Sequence, residues 1–188
     1  HVDEYGLKAE SIDKDFEAVV KRSRGVAEGM SKGVQFLMKK NKIDVIDGFG
    51  KIKAGKKVDV TAEDGKVTEY SADNIIIATG ARSRVLPNLP QDGVKVIGYR
   101  QAMTLPSQPK SMIVVGSGAI GVEFASFYNS MGTDVTIVEF QPNIVPVEDK
   151  DISKQFERSL KKTGIKIMTS SSVETIDTSG NGVKAFVK

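Results

Sequence analysis

The chain has 188 residues, 39% of them hydrophobic and 27% charged, which supplies enough apolar content for a folded core and argues against a disordered chain. Lysine and arginine number 27 against 24 aspartates and glutamates, and a net charge of +3 excludes the dense basic surface of a nucleic-acid binder. With no cysteine there is no disulfide scaffold, thiolate metal site or cysteine nucleophile in these residues, and no apolar run approaches the roughly 18 residues a membrane helix needs.

In chain order, the first strong pattern covers residues 13–39, where Phe16, Val19, Val20, Val26, Ala27, Met30, Val34, Leu37 and Met38 recur at steps of three, four and seven. This spacing predicts one long amphipathic helix with one buried stripe. Gly25, Gly29 and Gly33 each lower its helicity by roughly 0.5 to 1 kcal/mol relative to alanine, so tertiary packing is expected to support it. The basic stretches at 21–24 and 39–42 are short, lie among acids and read as solvated faces.

From residue 43 to residue 80 the period becomes two, and strands are expected at 43–46, 48–53, 58–60 and 67–70, with Asp64-Gly65 as a hairpin turn. Residues 74–78 (NIIIA) form a continuous apolar run, the pattern of a strand buried on both faces. Pro87, Pro90, Pro106 and Pro109 interrupt the next stretch, which marks the crossing between two domains. Residues 1–86 are assigned to one domain and 87–188 to the other.

The second domain reads as a βαβ unit: an apolar strand at 112–115, a glycine-rich turn, an apolar helix at 119–131 and a strand at 135–139. A second helix at 149–163, a strand at 165–168 and two β-like runs at 173–176 and 183–187 complete it. The fold class is therefore α/β, with a Rossmann-like domain beside a smaller unit carrying an antiparallel meander. The chain begins at His1 rather than methionine and stops within a meander, so it is expected to be a piece of a longer protein. With no targeting segment in view, the cytoplasm is the default location.

Chemistry concentrates at Gly116-Ser117-Gly118-Ala119-Ile120-Gly121, a G-x-G-x-x-G string that follows a strand, opens a helix and is followed by Glu139 at the end of the next strand. In that context Gly116 permits the tight turn, Gly118 admits a pyrophosphate close to the backbone, and Gly121 lets the helix pack against the strand. The positive helix end favours a diphosphate, and Glu139 would accept hydrogen bonds from ribose hydroxyls. A 2′-phosphate would meet like charge at Glu139, and residues 140–146 hold no lysine or arginine to receive it. NAD is therefore expected over NADP. Glu123, taken alone, is an acid compensating the helix dipole.

Two strings together, 75–81 (IIIATGA) and 116–123 (GSGAIGVE), resemble those of the pyridine nucleotide-disulfide oxidoreductases, flavoproteins with an NAD(P) domain inserted into an FAD domain. Residues 48–51 (GFGK) match the same family, and the similarity is greatest to its dihydrolipoamide-oxidising branch. The resemblance implies that Gly50, Thr79, Gly80 and Ala81 lie against FAD. It implies that Gly116, Ser117, Gly118, Ala119, Ile120, Gly121, Val122 and Glu123 hold NAD, with Ile120 and Glu123 near the nicotinamide and flavin. Glu139 then binds the adenosine ribose and Val173 touches the adenine.

The resemblance further implies a homodimer and membership of a 2-oxo acid dehydrogenase complex. Departures are equally clear: the family's own N-terminal FAD glycine motif, its cysteine pair and its C-terminal interface domain have no counterpart here. No catalytic residue is assigned within the chain, His1 included, and no metal site. FAD affinity is expected to be weak or absent, NAD binding to be retained, and exposed sheet edges to favour self-association. Another flavoprotein reductase of the same superfamily, or a stand-alone nucleotide-binding module, is the alternative.

Overall fold

The computed structural model describes residues 13–188, so His1 lies outside the described residues. The backbone divides into two compact units, one made of the segment ending at Arg22 together with Ser83–Lys188, the other of Ser23–Arg82.

Helix α1 (Phe16–Lys40) starts where the Asp15 carboxylate accepts the Ala18 amide at 2.9 Å, a side-chain cap on the first turn. Its first turn belongs to the larger unit: Phe16 is buried beside Phe127 and Tyr128, with ring centroids 6.4 and 6.0 Å away. The expected helix forms, but its apolar stripe is not buried as the periodicity implies. Met30 is 70% exposed, and Val26, Val34 and Leu37 are exposed too. Among the described residues, and apart from the helix's own backbone, no atom stands within 4 Å of where a side chain on Gly25, Gly29 or Gly33 would sit. Periodicity reports which face is apolar, not which surface covers it.

The smaller unit continues with β1 (Phe49–Lys53), β2 (Lys57–Thr61) and β3 (Val67–Ser71), an antiparallel meander in that order. Asp64-Gly65 makes the β2–β3 turn, with Gly65 at φ +83° and the Asp64 carboxylate accepting from the Lys66 amide. Lys53 and Lys57 both pair with Glu69, and Lys53 also with Asp59. These pairs cross-link the three strands on an exposed face, where solvent screening keeps their contribution small.

Two expected strands do not form. Residues 43–46 and 74–78 have no ladder partner, and Ile76 is 90% exposed in irregular backbone. A strand buried on both faces needs neighbours on both edges and a layer on each side, and the described residues supply neither around 74–78.

The larger unit is built on a parallel three-stranded sheet, β4 (Ser111–Val115), β5 (Asp134–Val138) and β6 (Lys166–Met168), in that spatial order. Helix α3 (Ala119–Ser130) crosses from β4 to β5, and α4 (Lys150–Lys162) from β5 to β6. Both crossovers are legible in the sequence within a residue or two. Alternation along β5 sends Val135 and Ile137 into a core with Val122, Ala125, Tyr128, Leu160 and Ile165, while Val138 joins Leu89 and Val173 in a smaller cluster. A hairpin of β7 (Val173–Asp177) and β8 (Lys184–Val187) follows β6.

A short helix, α2 (Tyr99–Ala102), and the buried Leu89 lie within the proline-rich stretch that reads as a plain connection. Four residues are too few to establish a helical period. No helix of the described residues is long and apolar enough to cross a membrane.

Candidate functional site

The turn from β4 into α3 is held from three directions. Gly116 adopts φ +97°, a conformation open to glycine but strained for other residues, and its amide donates to the Val138 carbonyl at the end of β5, 2.9 Å away. Ser117 is fully buried, and its carbonyl accepts from the Val145 amide at 3.0 Å. Its own amide and hydroxyl both donate to Oε2 of Glu139, at 2.7 and 2.6 Å. The turn is therefore anchored to the end of β5 and the segment that follows it.

Gly118 is the N-cap of α3, in extended conformation and without a side-chain cap, and nothing stands within 4 Å of the position a side chain there would take. The first-turn amides of α3 have no side-chain cap at the positive end of a 12-residue helix, the arrangement that receives phosphate oxygens. Gly121 serves packing instead. A methyl there would collide with the Gly116 carbonyl oxygen and lie 3.4 Å from Val114 Cγ1, so only glycine lets α3 settle onto β4.

Glu139 follows β5 immediately and is only 6% exposed. Its amide donates to the Met168 carbonyl at 2.8 Å and its carbonyl accepts from the Ser171 amide, so β6 and the loop after it fix the backbone. Oε1 accepts the Gln141 amide at 2.7 Å. Burial pushes this carboxyl up, but hydrogen bonds from the Ser117 hydroxyl and from the amides of Gln141, Ser117 and Phe140 outweigh it and hold it below the usual carboxylate range. A buried, ionised acid stands beside an uncapped helix N-terminus.

The other candidate residues fall into two groups. Ala119, Ile120 and Glu123 lie on exposed positions of α3, Ile120 being 60% exposed, while Val122 points into the core. Val173 is buried against Val138, the residue before Glu139, and its carbonyl accepts from Asn88. Residues 116–123, Glu139 and Val173 therefore belong to one unit and converge on the ends of β4 and β5.

Gly50, Thr79, Gly80 and Ala81 belong to the other unit. Gly50 sits in β1 opposite Val60, and Thr79, Gly80 and Ala81 are exposed irregular backbone with Gly80 at φ +77°. All four are solvent-exposed rather than walls of a formed cavity. These residues do not by themselves make a fitted flavin site.

Sequence reasoning misses the side-chain grip of Ser117 on Glu139. The one signal available is the serine itself, since a glycine-rich turn has no need of a hydroxyl between its first two glycines.

The profile of a family described as pyridine nucleotide-disulphide oxidoreductase matches residues 4–188. The chain belongs to this family. Dihydrolipoyl dehydrogenase of Zymomonas mobilis is 42% identical over 97% of the chain, and that of Rhizobium etli is 44% identical over all of it. Among solved structures, LpdA from Mycobacterium tuberculosis superimposes with a TM-score of 0.86 at 28% identity, over 95% of this chain. The chain spans 39% and 42% of the lengths of the two relatives and 40% of the LpdA chain. The pyridine nucleotide-disulphide oxidoreductases work with FAD and a nicotinamide nucleotide, and their Rossmann-like fold accounts for the parallel sheet and glycine turn found here.

Proposed function

We propose that residues 87–188 form an NAD-binding domain, and that the whole protein is a dihydrolipoyl dehydrogenase oxidising dihydrolipoamide at the expense of NAD through FAD and a dithiol. The observation that carries this reading is Glu139, a buried carboxylate held against the glycine turn at the mouth of an open helix N-terminus. The chemistry of the cradle fits a dinucleotide: amides and a helix dipole for the diphosphate, an ionised acceptor for ribose hydroxyls.

In this reading the first-turn amides of α3 and the Gly118 backbone bind the diphosphate, and Glu139 accepts the adenosine ribose hydroxyls. Ile120 and Glu123 flank the nicotinamide end, and Val173 borders the adenine. Gly50, Thr79, Gly80 and Ala81 contribute to the FAD side only together with residues beyond these 188. When bound, NAD supplies a hydride acceptor. The chain's own residues orient it and, through the charge of Glu139 and the absence of lysine or arginine at 140–146, disfavour a 2′-phosphate.

The identity of 42 and 44% with dihydrolipoyl dehydrogenases supports dihydrolipoamide as the substrate. A homodimeric whole protein, a place in a 2-oxo acid dehydrogenase complex, a contribution to redox homeostasis and a cytoplasmic location are parts of the same proposal. Calorimetric titration of the purified chain with NADH tests its central claim. Saturable binding that is lost in Glu139→Ala supports it, whereas a folded chain that binds no NADH at millimolar concentration overturns it.

A further inference from the structure

Ser117 is a fully buried serine whose hydroxyl and amide grip the same carboxylate oxygen, and its exposure is nil, so a bound nucleotide cannot touch that hydroxyl. Two hydrogen bonds from Ser117 converge on Oε2 of the Glu139 carboxylate and one from the Gln141 amide on Oε1, with the Phe140 amide as a further donor to the group. The amides are fixed by backbone. The hydroxyl is the one donor among them that a side-chain substitution removes without altering the chain path.

Building on the NAD-binding reading, we infer that Ser117 is a positioning residue for nucleotide selection: its hydroxyl holds the Glu139 carboxylate oriented toward the adenosine ribose. Glu139 forms no ion pair among the described residues, so no neighbouring cation performs that task in its place. The turn itself does not depend on the hydroxyl, because the Gly116 amide, the Ser117 amide and the Ser117 carbonyl each have their own backbone or carboxylate partner. Hydroxyl and turn are therefore separable by mutation.

Binding of NADH, NADPH and reduced nicotinamide mononucleotide to the unaltered chain and to Ser117→Ala tests this. The mononucleotide lacks the adenosine ribose and serves as the internal control. Loss of one charge-assisted hydrogen bond weakens NADH about tenfold, NADPH less, and the mononucleotide not at all. Ser117→Cys, of similar size but a weak donor, moves NADH binding in the same direction and guards against a folding failure of the alanine variant. In parallel, the Glu139 side-chain carboxyl carbon, assigned with Glu139→Gln, is titrated by NMR without nucleotide, and its midpoint rises in Ser117→Ala. Equal weakening of NADH and the mononucleotide, or an unmoved Glu139 midpoint, overturns the positioning role. Failure of NADH to bind the unaltered chain overturns the NAD reading and is recognised separately, because the Glu139 titration reports the Ser117 grip with no nucleotide present.

Discussion

The Ser117 amide donates to Glu139 Oε2 across 2.7 Å, joining the turn after β4 to the residue that follows β5. The bond ties the glycine turn to the buried acid, and each follows the end of one of two paired parallel strands.

Glu139→Gln keeps the size of the side chain but turns an acceptor of charge-assisted bonds into a neutral amide. The change should destabilise the larger unit by about 1 to 3 kcal/mol and weaken NADH by at least roughly tenfold, read by urea titration and calorimetry. The carboxyl is depressed in the folded chain, so the stability it contributes is present above the unfolded carboxylate value of about 4.3. That stability is lost as pH falls through the depressed folded value. The urea midpoint of the unaltered chain should therefore drop more steeply on acidification than that of Glu139→Gln.

Gly121→Ala places a methyl against the Gly116 carbonyl oxygen, a backbone atom that cannot rotate away. Overpacking of this kind costs about 1 to 3 kcal/mol, and here it also lifts α3 from β4 at the point where the turn is shaped. A lowered thermal midpoint with weakened NADH binding is the expected result. An unchanged midpoint would show that the contact between α3 and β4 is looser than the geometry describes.

Tyr128→Phe isolates one hydrogen bond in the core. The ring is fully buried among Phe16, Phe124 and Phe127, and the phenol donates to the Ala102 carbonyl at the end of α2. Phenylalanine keeps the ring contacts and leaves that carbonyl short of a partner, at a cost of about 1 kcal/mol. Burial pushes the phenol up, so its contribution is complete below the unfolded value of about 10 and is lost as pH rises through the higher folded value. Alkaline unfolding of the unaltered chain should show this loss, and Tyr128→Phe should lack it.

What was legible in the sequence follows from how local the cause is. The strand, glycine turn, helix and acid of 111–139 lie within one supersecondary unit, so spacing alone locates β4, α3, β5 and Glu139. The meander was legible for the same reason, down to the Asp64-Gly65 turn. Residues 74–78 were misread because an apolar run specifies a buried strand only when neighbours exist to bury it. The stripe of α1 was placed correctly and its burial was not, since Val26, Met30 and Val34 carry no information about a covering surface. The Ser117 hydroxyl was missed because its partner is set by the end of another strand, 22 residues away in the chain.

Chemistry at sulfur sets the last prediction. The relatives 42 and 44% identical to this chain are dihydrolipoyl dehydrogenases, and an enzyme that oxidises a dithiol substrate by exchange needs a thiolate of its own to attack and release it. These 188 residues contain no cysteine. The isolated chain should therefore bind NADH through the α3 turn yet form no NADH from dihydrolipoamide and NAD, measured at 340 nm with the chain in stoichiometric amounts. Adding FAD should not restore the reaction, because flavin supplies the hydride relay and not the missing sulfur. Steady NADH formation by the pure chain would mean that dithiol oxidation here bypasses thiol exchange, and the assignment of the thiol step to residues beyond these 188 would fall.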